Sequence, residues 1–431
     1  MKPFSILCLS VSASVALHAA AAEQAVTFTK HIAPLVFANC LVCHRAGEVG
    51  PFPLTNYAEV RKKAETIATV VADRAMPPWR ADEGEEKFHD ARALKSEQVA
   101  LFEQWVKAGT PEGEAKDLPP APDFPAGWML GEPDLVLKPA QSYEIGPEGR
   151  DVYQAFVLPT SFPADRYVSA VQVRPGNAAA VHHVLLFLDT SGRARALDAA
   201  SPDPGYISFG GPGFAPNGSL GGWAPGNFPR HLPAGIGMRL PKGADVVMQV
   251  HYHRTGKPET DTTQVGLYFA KTPVEKRIRT FPIRAAKLRI PAGDANYRTE
   301  GWLPIPANVT LQAIMPHMHL IGREMTVTAK LPDGTEKKLI HVPDWSFNWQ
   351  MTYRFLEPIK LPRGTMLRLT ARFDNSDSNP HNPSNPPKEV RRGEGTNDEM
   401  CMAFLSYTVD AENIPAAGEV TGFPDSFVLA K

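Results

Sequence analysis

Met315-Pro316-His317-Met318-His319 sets two imidazoles one residue apart. In a strand, alternate side chains leave by opposite faces, so His317 and His319 share a face while Ile314, Met318 and Leu320 take the other, which reads as core. Two imidazoles about 7 Å apart along a strand can grip one metal ion but do not fill its coordination sphere. The remaining ligands must come from elsewhere, and the chain offers His182-His183, His251 and Met400. An exposed or hydrogen-bonded histidine pair is an equally ordinary outcome, and His-x-His alone does not decide between the two.

A different chemistry is written at Cys40-Leu41-Val42-Cys43-His44. Cys-x-x-Cys-His is the attachment signature of a c-type haem: two thiols become thioethers to the vinyl groups, and the adjacent His becomes the axial iron ligand. A redox dithiol would not need the His, and a zinc site would want a second cysteine pair, which the chain lacks. Met76 is the expected sixth ligand, because in Met76-Pro77-Pro78 two prolines hold the thioether on a rigid, non-helical loop; His31 is the runner-up. Methionine ligation raises the reduction potential, which suits an electron relay.

These residues need elements to position them. Residues 1–22 read as a secretory signal: Lys2, an apolar stretch from Phe4 to Leu17, then small residues ending at Ala22. The expected location is therefore periplasmic or secreted, and Cys8 leaves with the signal. No later run is apolar enough to span a bilayer. Residues 23–116 read as a small all-α haem domain. Ile32, Leu35 and Val36 form one helical face upstream of the cysteines. Ser96 is the expected N-cap of a second helix with a Val99, Phe102 and Val106 stripe, ended by Gly109 and Pro111. Residues 117–130 are a Pro-rich linker.

Beyond it the pattern changes to short apolar or alternating runs, which predicts a mainly β architecture of two β-sandwich domains, 131–275 and 276–431. Expected strands include Asp151–Leu158, Val181–Leu188, Asp245–Tyr252, Val309–Ile314 and Cys401–Val409. Pro332-Asp333-Gly334 is a hairpin turn, and Ser201 to Pro233, rich in Gly and Pro, reads as one long loop. Adjacent residues His182 and His183 face opposite ways in a regular strand, so both reach one ion only at a bulge or a strongly twisted edge. Gln249, His251 and His253 share a face, and spacing alone does not choose between the two histidines. Met400 alone would be a core residue by default; beside two imidazoles, its soft thioether favours copper(I). Trp345, Phe347, Trp349, Met351 and Tyr353 alternate on one face, which reads as core, with substrate or haem docking as the alternative. A net charge of −1 with scattered basic residues gives no grounds for a nucleic-acid partner.

Taken together, His182-His183, Met248-Gln249-Val250-His251-Tyr252, His317-Met318-His319 with Leu320 and Gly322, and Asp398-Glu399-Met400-Cys401 resemble the copper type II, ascorbate-dependent monooxygenases. This is the group of the peptidylglycine α-hydroxylating and dopamine β-monooxygenases. The resemblance implies two jelly-roll sandwiches with two copper ions. His182, His183 and His251 would bind the electron-transfer copper, and His317, His319 and Met400 the copper where dioxygen reacts. It implies hydroxylation of a C–H bond in a small-molecule substrate, one atom of O2 entering the product and the other becoming water. Peptide-amidating members carry an Arg where this chain has Met315, and an Asn and a Tyr where it has Met402 and Phe404, so a less polar substrate is expected. The family's reductant is ascorbate; a chain with its own haem c would draw electrons from a periplasmic donor or an ascorbate-like reductant. The competing expectation is a haem–copper electron-transfer or copper-binding protein without oxygenase activity.

Overall fold

Short helices come first, and strands follow. The computed structural model describes residues 25–415 apart from 126 and 286, so the signal expected at 1–22, with Cys8, lies outside the described residues. Phe28–Ile32 is a π-helical turn that runs directly into the helix Ala33–Asn39. Ile32 and Val36 of the expected face are fully buried, while Leu35 packs at the margin of the same core. The later helix is Ser96–Lys107. Its N-cap is Lys95, not Ser96: Lys95 has the extended backbone of a cap, and its N–H donates to Gln98 Oε1 at 2.9 Å. Gln98 reaches back over the first turn, so the cap sits one residue earlier than a serine-led reading expects. Phe102 and Trp105 carry the deepest burial of this helix; Val99 and Val106 only flank it.

The strands form two stacked pairs of sheets. In the first pair, one sheet runs Leu135–Leu137, Gln264–Phe269, Arg166–Arg174, Ile236–Leu240, Lys276–Arg277 in spatial order. Its partner runs Tyr206–Ile207, Val152–Pro159, Asp245–Tyr252, Val181–Asp189, Gly218–Trp223. Their common core includes Leu186, Met248, Val250, Leu240 and Leu267, all essentially without solvent exposure. In the second pair, Arg279–Arg284, Cys401–Val409, Val309–Met318 and Tyr353–Leu361 face Tyr297–Pro304, Met366–Phe373, Gly322–Lys330 and Glu336–Val342. Ile314, Met318, Val327, Leu369 and Ala403 fill the space between them. Asp245–Tyr252 and Cys401–Val409 have the bounds that their alternation predicts.

Two expectations are corrected. The stretch 201–233 is not one loop: it holds the strands Tyr206–Ile207 and Gly218–Trp223. The second is hidden in sequence by its glycines, and it pairs with Val181–Asp189, Trp223 opposite Val184. Trp345 to Met351 is not a strand face either; the strand begins only at Tyr353. Trp345 and Met351 are buried by a folded-back connection, which mimics alternation because core side chains recur in it at odd positions.

Residues 79–92 leave the helical unit as an arm along the second sandwich. Trp79 and Phe88 pack on Tyr353 with ring centroids 5.0 and 5.4 Å away. Phe88 bridges to Phe355 as an added strand would, with His89 N donating to Arg354 O at 2.8 Å and Leu356 N to Lys87 O at 2.7 Å. Asp82 meets His341 Nδ1 at 2.6 Å. The arm thus covers the outer edge of Tyr353–Leu361, the last strand of its sheet, whose backbone groups would otherwise stand unpaired. The same arm reaches the first sandwich, where Arg92 donates to Gly226 O at 2.8 Å and Asp90 pairs with Arg230. The segment 117–130 is anchored too: Arg45 lies over the Phe124 ring at 3.9 Å, and Met129 N donates to Gln172 Oε1 at 2.9 Å.

Candidate metal centre

The central strands of one sheet bring His182, His183 and His251 together. Val181 pairs with Tyr252 and His183 with His251, and the register shifts between those two pairs. His182 is therefore the extra residue of a bulge, which lets two sequence neighbours turn toward one point. Their potential ligand atoms all lie within 4.8 Å of one another. His183 Nδ1 is 3.2 Å from His182 Nδ1 and 3.4 Å from His251 Nδ1. Metal–nitrogen bonds of about 2.0 Å in a tetrahedral site give ligand edges of about 3.3 Å, so the two pairs that share His183 already stand at coordination spacing. His251 Nε2 donates to Asp151 Oδ2 at 2.8 Å, which fixes the tautomer and leaves Nδ1 with its lone pair. His253 lies apart: its side chain is 62 % exposed, and Nδ1 is 3.6 Å from the other Asp151 oxygen.

Burial sets the charge of this cluster. It pushes His182 down to about 4, aided by His251. It holds His183 far below the ordinary imidazole range and lowers His251 against the pull of Asp151. Neutral rings with free lone pairs are what a metal ion requires.

The second set uses the opposite nitrogen. His317 Nδ1 donates to Gln350 Oε1 at 2.6 Å and His319 Nδ1 to Asp398 O at 3.0 Å, so Nε2 of each ring is the atom left for a ligand. The two ring centroids are 5.2 Å apart. Burial again lowers both, His317 to about 4. His317 stands opposite Met402 and Met318 opposite Cys401. The ladder ends there, and His319 and Met400 are the next residues of the two segments beyond its end. Buried Glu399 ties the two strand ends, accepting from His319 N at 2.8 Å, Ile321 N at 2.9 Å and Met400 N at 3.1 Å. Trp345 Nε1 donates to His319 O at 3.0 Å.

Phe347 joins the two sets. Its ring stacks on His182 at 6.2 Å and stands edge-on to His319 at 5.9 Å, so one side chain spans the space between them. Sequence reasoning missed Asp151 and Gln350; it named Phe347 only within an aromatic run read first as core and otherwise as a docking face, not as a neighbour of the imidazoles.

At the cysteine motif, Cys43 N and His44 N both bond to Cys40 O in a tight turn. His44 Nδ1 lies 3.0 Å from Phe52 O, which leaves Nε2 for an axial bond. Cys40, Cys43 and Cys401 are all free thiols. Burial raises Cys40 to about 12 and Cys43 also upward, the reverse of what a reactive redox dithiol needs. Arg92 acts electrostatically on Cys43, and its buried Nε and Nη1 have no hydrogen-bond partner. This donor set fits a c-type haem with an anionic edge. Met76 is half-buried on the loop after the helix Ala64–Ala72, and no hydrogen bond or ring contact among the described residues joins it to His44. His31 Nδ1 accepts from Thr27 N at 3.0 Å in its own helix turn.

Comparison with known proteins bears on the C-terminal part of the chain. Residues 287–417 match the family model of the copper type II ascorbate-dependent monooxygenase, C-terminal domain; this segment holds His317, His319 and Met400. A DBH-like monooxygenase protein 1 from Gallus gallus is 24 % identical over 205 residues, which are 43 % of this chain and 32 % of that protein. This chain thus matches about a third of that relative's length. Among solved structures, the major capsid protein P2 of bacteriophage PM2 is similar at 10 % identity and TM-score 0.25, over 66 % of this chain and 99 % of that one. PNGF-II is similar at 8 % identity and TM-score 0.26, over 64 % and 65 %. Scores this low bear on neither fold nor function.

Proposed function

We propose that this chain is an exported, copper-dependent monooxygenase that hydroxylates a C–H bond of a small organic substrate with O2, its electrons entering through a haem c on residues 23–116. One contrast carries the reading: three Nδ1 atoms converge in the first set, whereas the second keeps Nδ1 in hydrogen bonds and has Met400 tied to His319 through the Glu399 carboxylate. His182, His183 and His251 would hold one copper with three like nitrogens, suited to passing electrons. His317, His319 and Met400 would hold the other, where the soft thioether favours the reduced ion. When bound, the copper pair supplies electron transfer and dioxygen activation.

The chain's own groups do the rest. Asp151, Gln350 and the Asp398 carbonyl aim the rings. Burial keeps the imidazoles neutral. Phe347 stands in ring contact with His182 on one side and His319 on the other. Cys40 and Cys43 would hold the haem covalently, His44 Nε2 and Met76 would bind its iron, and Arg92 would offer its unpartnered nitrogens to an anionic group of it. The electrons would come from a periplasmic donor or an ascorbate-like reductant.

Metal analysis of the holoprotein is the first test: two coppers and one haem iron per chain are expected. Met400→Ile should abolish coupled product formation while the first set keeps its copper. A wild type that binds copper yet couples no oxygen uptake to any substrate would leave the electron-carrier reading instead. In rapid mixing, copper reduction at an unchanged rate after replacement of His44 would refute the haem relay.

A further inference from the structure

We infer that the seam between the two sandwiches holds a binding site for a small organic carboxylate, centred on Arg354. A cleft of about 900 Å³ opens there, its wall drawn from both sandwiches and the arm. The lining carries five arginines and no Asp or Glu. Four of them are served from outside it: Arg277 and Arg279 by Glu412, Arg239 by Asp165 and Arg230 by Asp90.

Arg354 differs. It is half-buried, yet among the described residues its guanidinium makes no hydrogen bond and no salt bridge. The charges that act on it are Asp90, already bonded to Arg230, and Arg230 itself, which repels it. A guanidinium drawn out of water without a counter-ion is unfavourable, and its planar fork matches a carboxylate by two parallel bonds. Phe187, Trp223 and Met238 on one side and Phe355 on the other give the cleft apolar walls, which suit an organic body rather than a bare inorganic anion.

The site is not the metal centre. None of His182, His183, His251, His317, His319 or Met400 lines the cleft. Its near end is Trp223, opposite Val184 and so next to His183, while Ala313, which pairs with Arg354, lies four residues before His317, roughly 13 Å along that strand. An occupant bound at Arg354 would touch both sandwiches.

Calorimetric titration of the full chain with benzoate, copper-loaded and metal-free, tests this. One site per chain is expected in both forms. Binding should be at least tenfold weaker for benzamide, for inorganic phosphate, and for benzoate with Arg354→Gln. Equal binding of benzamide or of phosphate overturns the proposal, as does binding confined to the copper-loaded form or unaffected by Arg354→Gln. Should that variant lose its native circular dichroism, the benzoate–benzamide comparison on the unaltered chain decides. Copper is titrated in parallel: failure to bind copper with benzoate binding intact would sink the oxygenase reading and leave this one standing.

Discussion

Asp151 does for the first imidazole set what Gln350 and a backbone carbonyl do for the second: each takes the N–H of one ring nitrogen and so decides which nitrogen faces the metal. Asp151→Ala should therefore weaken copper at the first set by roughly 10–100-fold and leave the second unchanged, as read by titration against a competing chelator. Parity along the strand was enough to set His317 beside His319. It could not reveal Asp151 or Gln350, because these partners lie 100 and 33 residues away in sequence and a polar residue at a strand end or in a connection carries no pattern. Gly50 is a second residue that spacing hides. A Cβ there would stand 2.6 Å from Cys43 O and 2.9 Å from His44 Nδ1. Gly50→Ala should displace His44 from Phe52 and lower the yield of covalent haem per chain, measured by absorbance against protein concentration.

At the scale of elements, the first set depends on a fault at the ligands themselves, whereas the second stands at the regular end of a ladder whose own shift lies earlier, between Leu311 and Ala313. The need for a bulge at His182-His183 is legible from two adjacent ligands; its presence is a matter of pairing between distant strands, which periodicity does not report. The His317–His319 pair follows from the alternation of Val309–Met318 carried one residue past its end, whereas Met400 is singled out only by the family resemblance. Beyond its end, Gly322 lets the chain turn back tightly: a Cβ would come within 2.8 Å of Met318 Cβ and 2.9 Å of Trp345 Cδ1. Gly322→Ala should cost about 1–3 kcal/mol by overpacking, seen as a lower denaturant midpoint. It should also loosen the Trp345 hold on the His319 carbonyl. The strand Gly218–Trp223 escaped the sequence reading because three of its six residues are glycine, which weakens the side-chain pattern that announces a strand.

Across the whole molecule, Glu412 fastens the sandwiches to each other. It accepts from Arg277, on a strand of the first, and from Arg279, on a strand of the second. Those bonds outweigh burial and hold its carboxyl down at about 2, against about 4.3 in an unfolded chain. A depressed folded value means that the stabilisation is complete above the unfolded value and fades as pH falls from there through the folded one. Unfolding midpoints should therefore drop between roughly pH 4.3 and 2, and this component should vanish in Glu412→Gln. That substitution should itself cost about 3–5 kcal/mol at neutral pH, because two buried arginines lose their counter-charge. Neither this clasp nor the arm at 79–92 could be read from composition, since both join segments that look self-contained in sequence. The arm has its own consequence. Pinned by Phe88, Asp82 and Arg92 to both sandwiches, the N-terminal unit is no pendulum on a tether. If it feeds electrons inward, each one crosses a fixed gap, and delivery should keep its pace in viscous glycerol where a swinging carrier would slow.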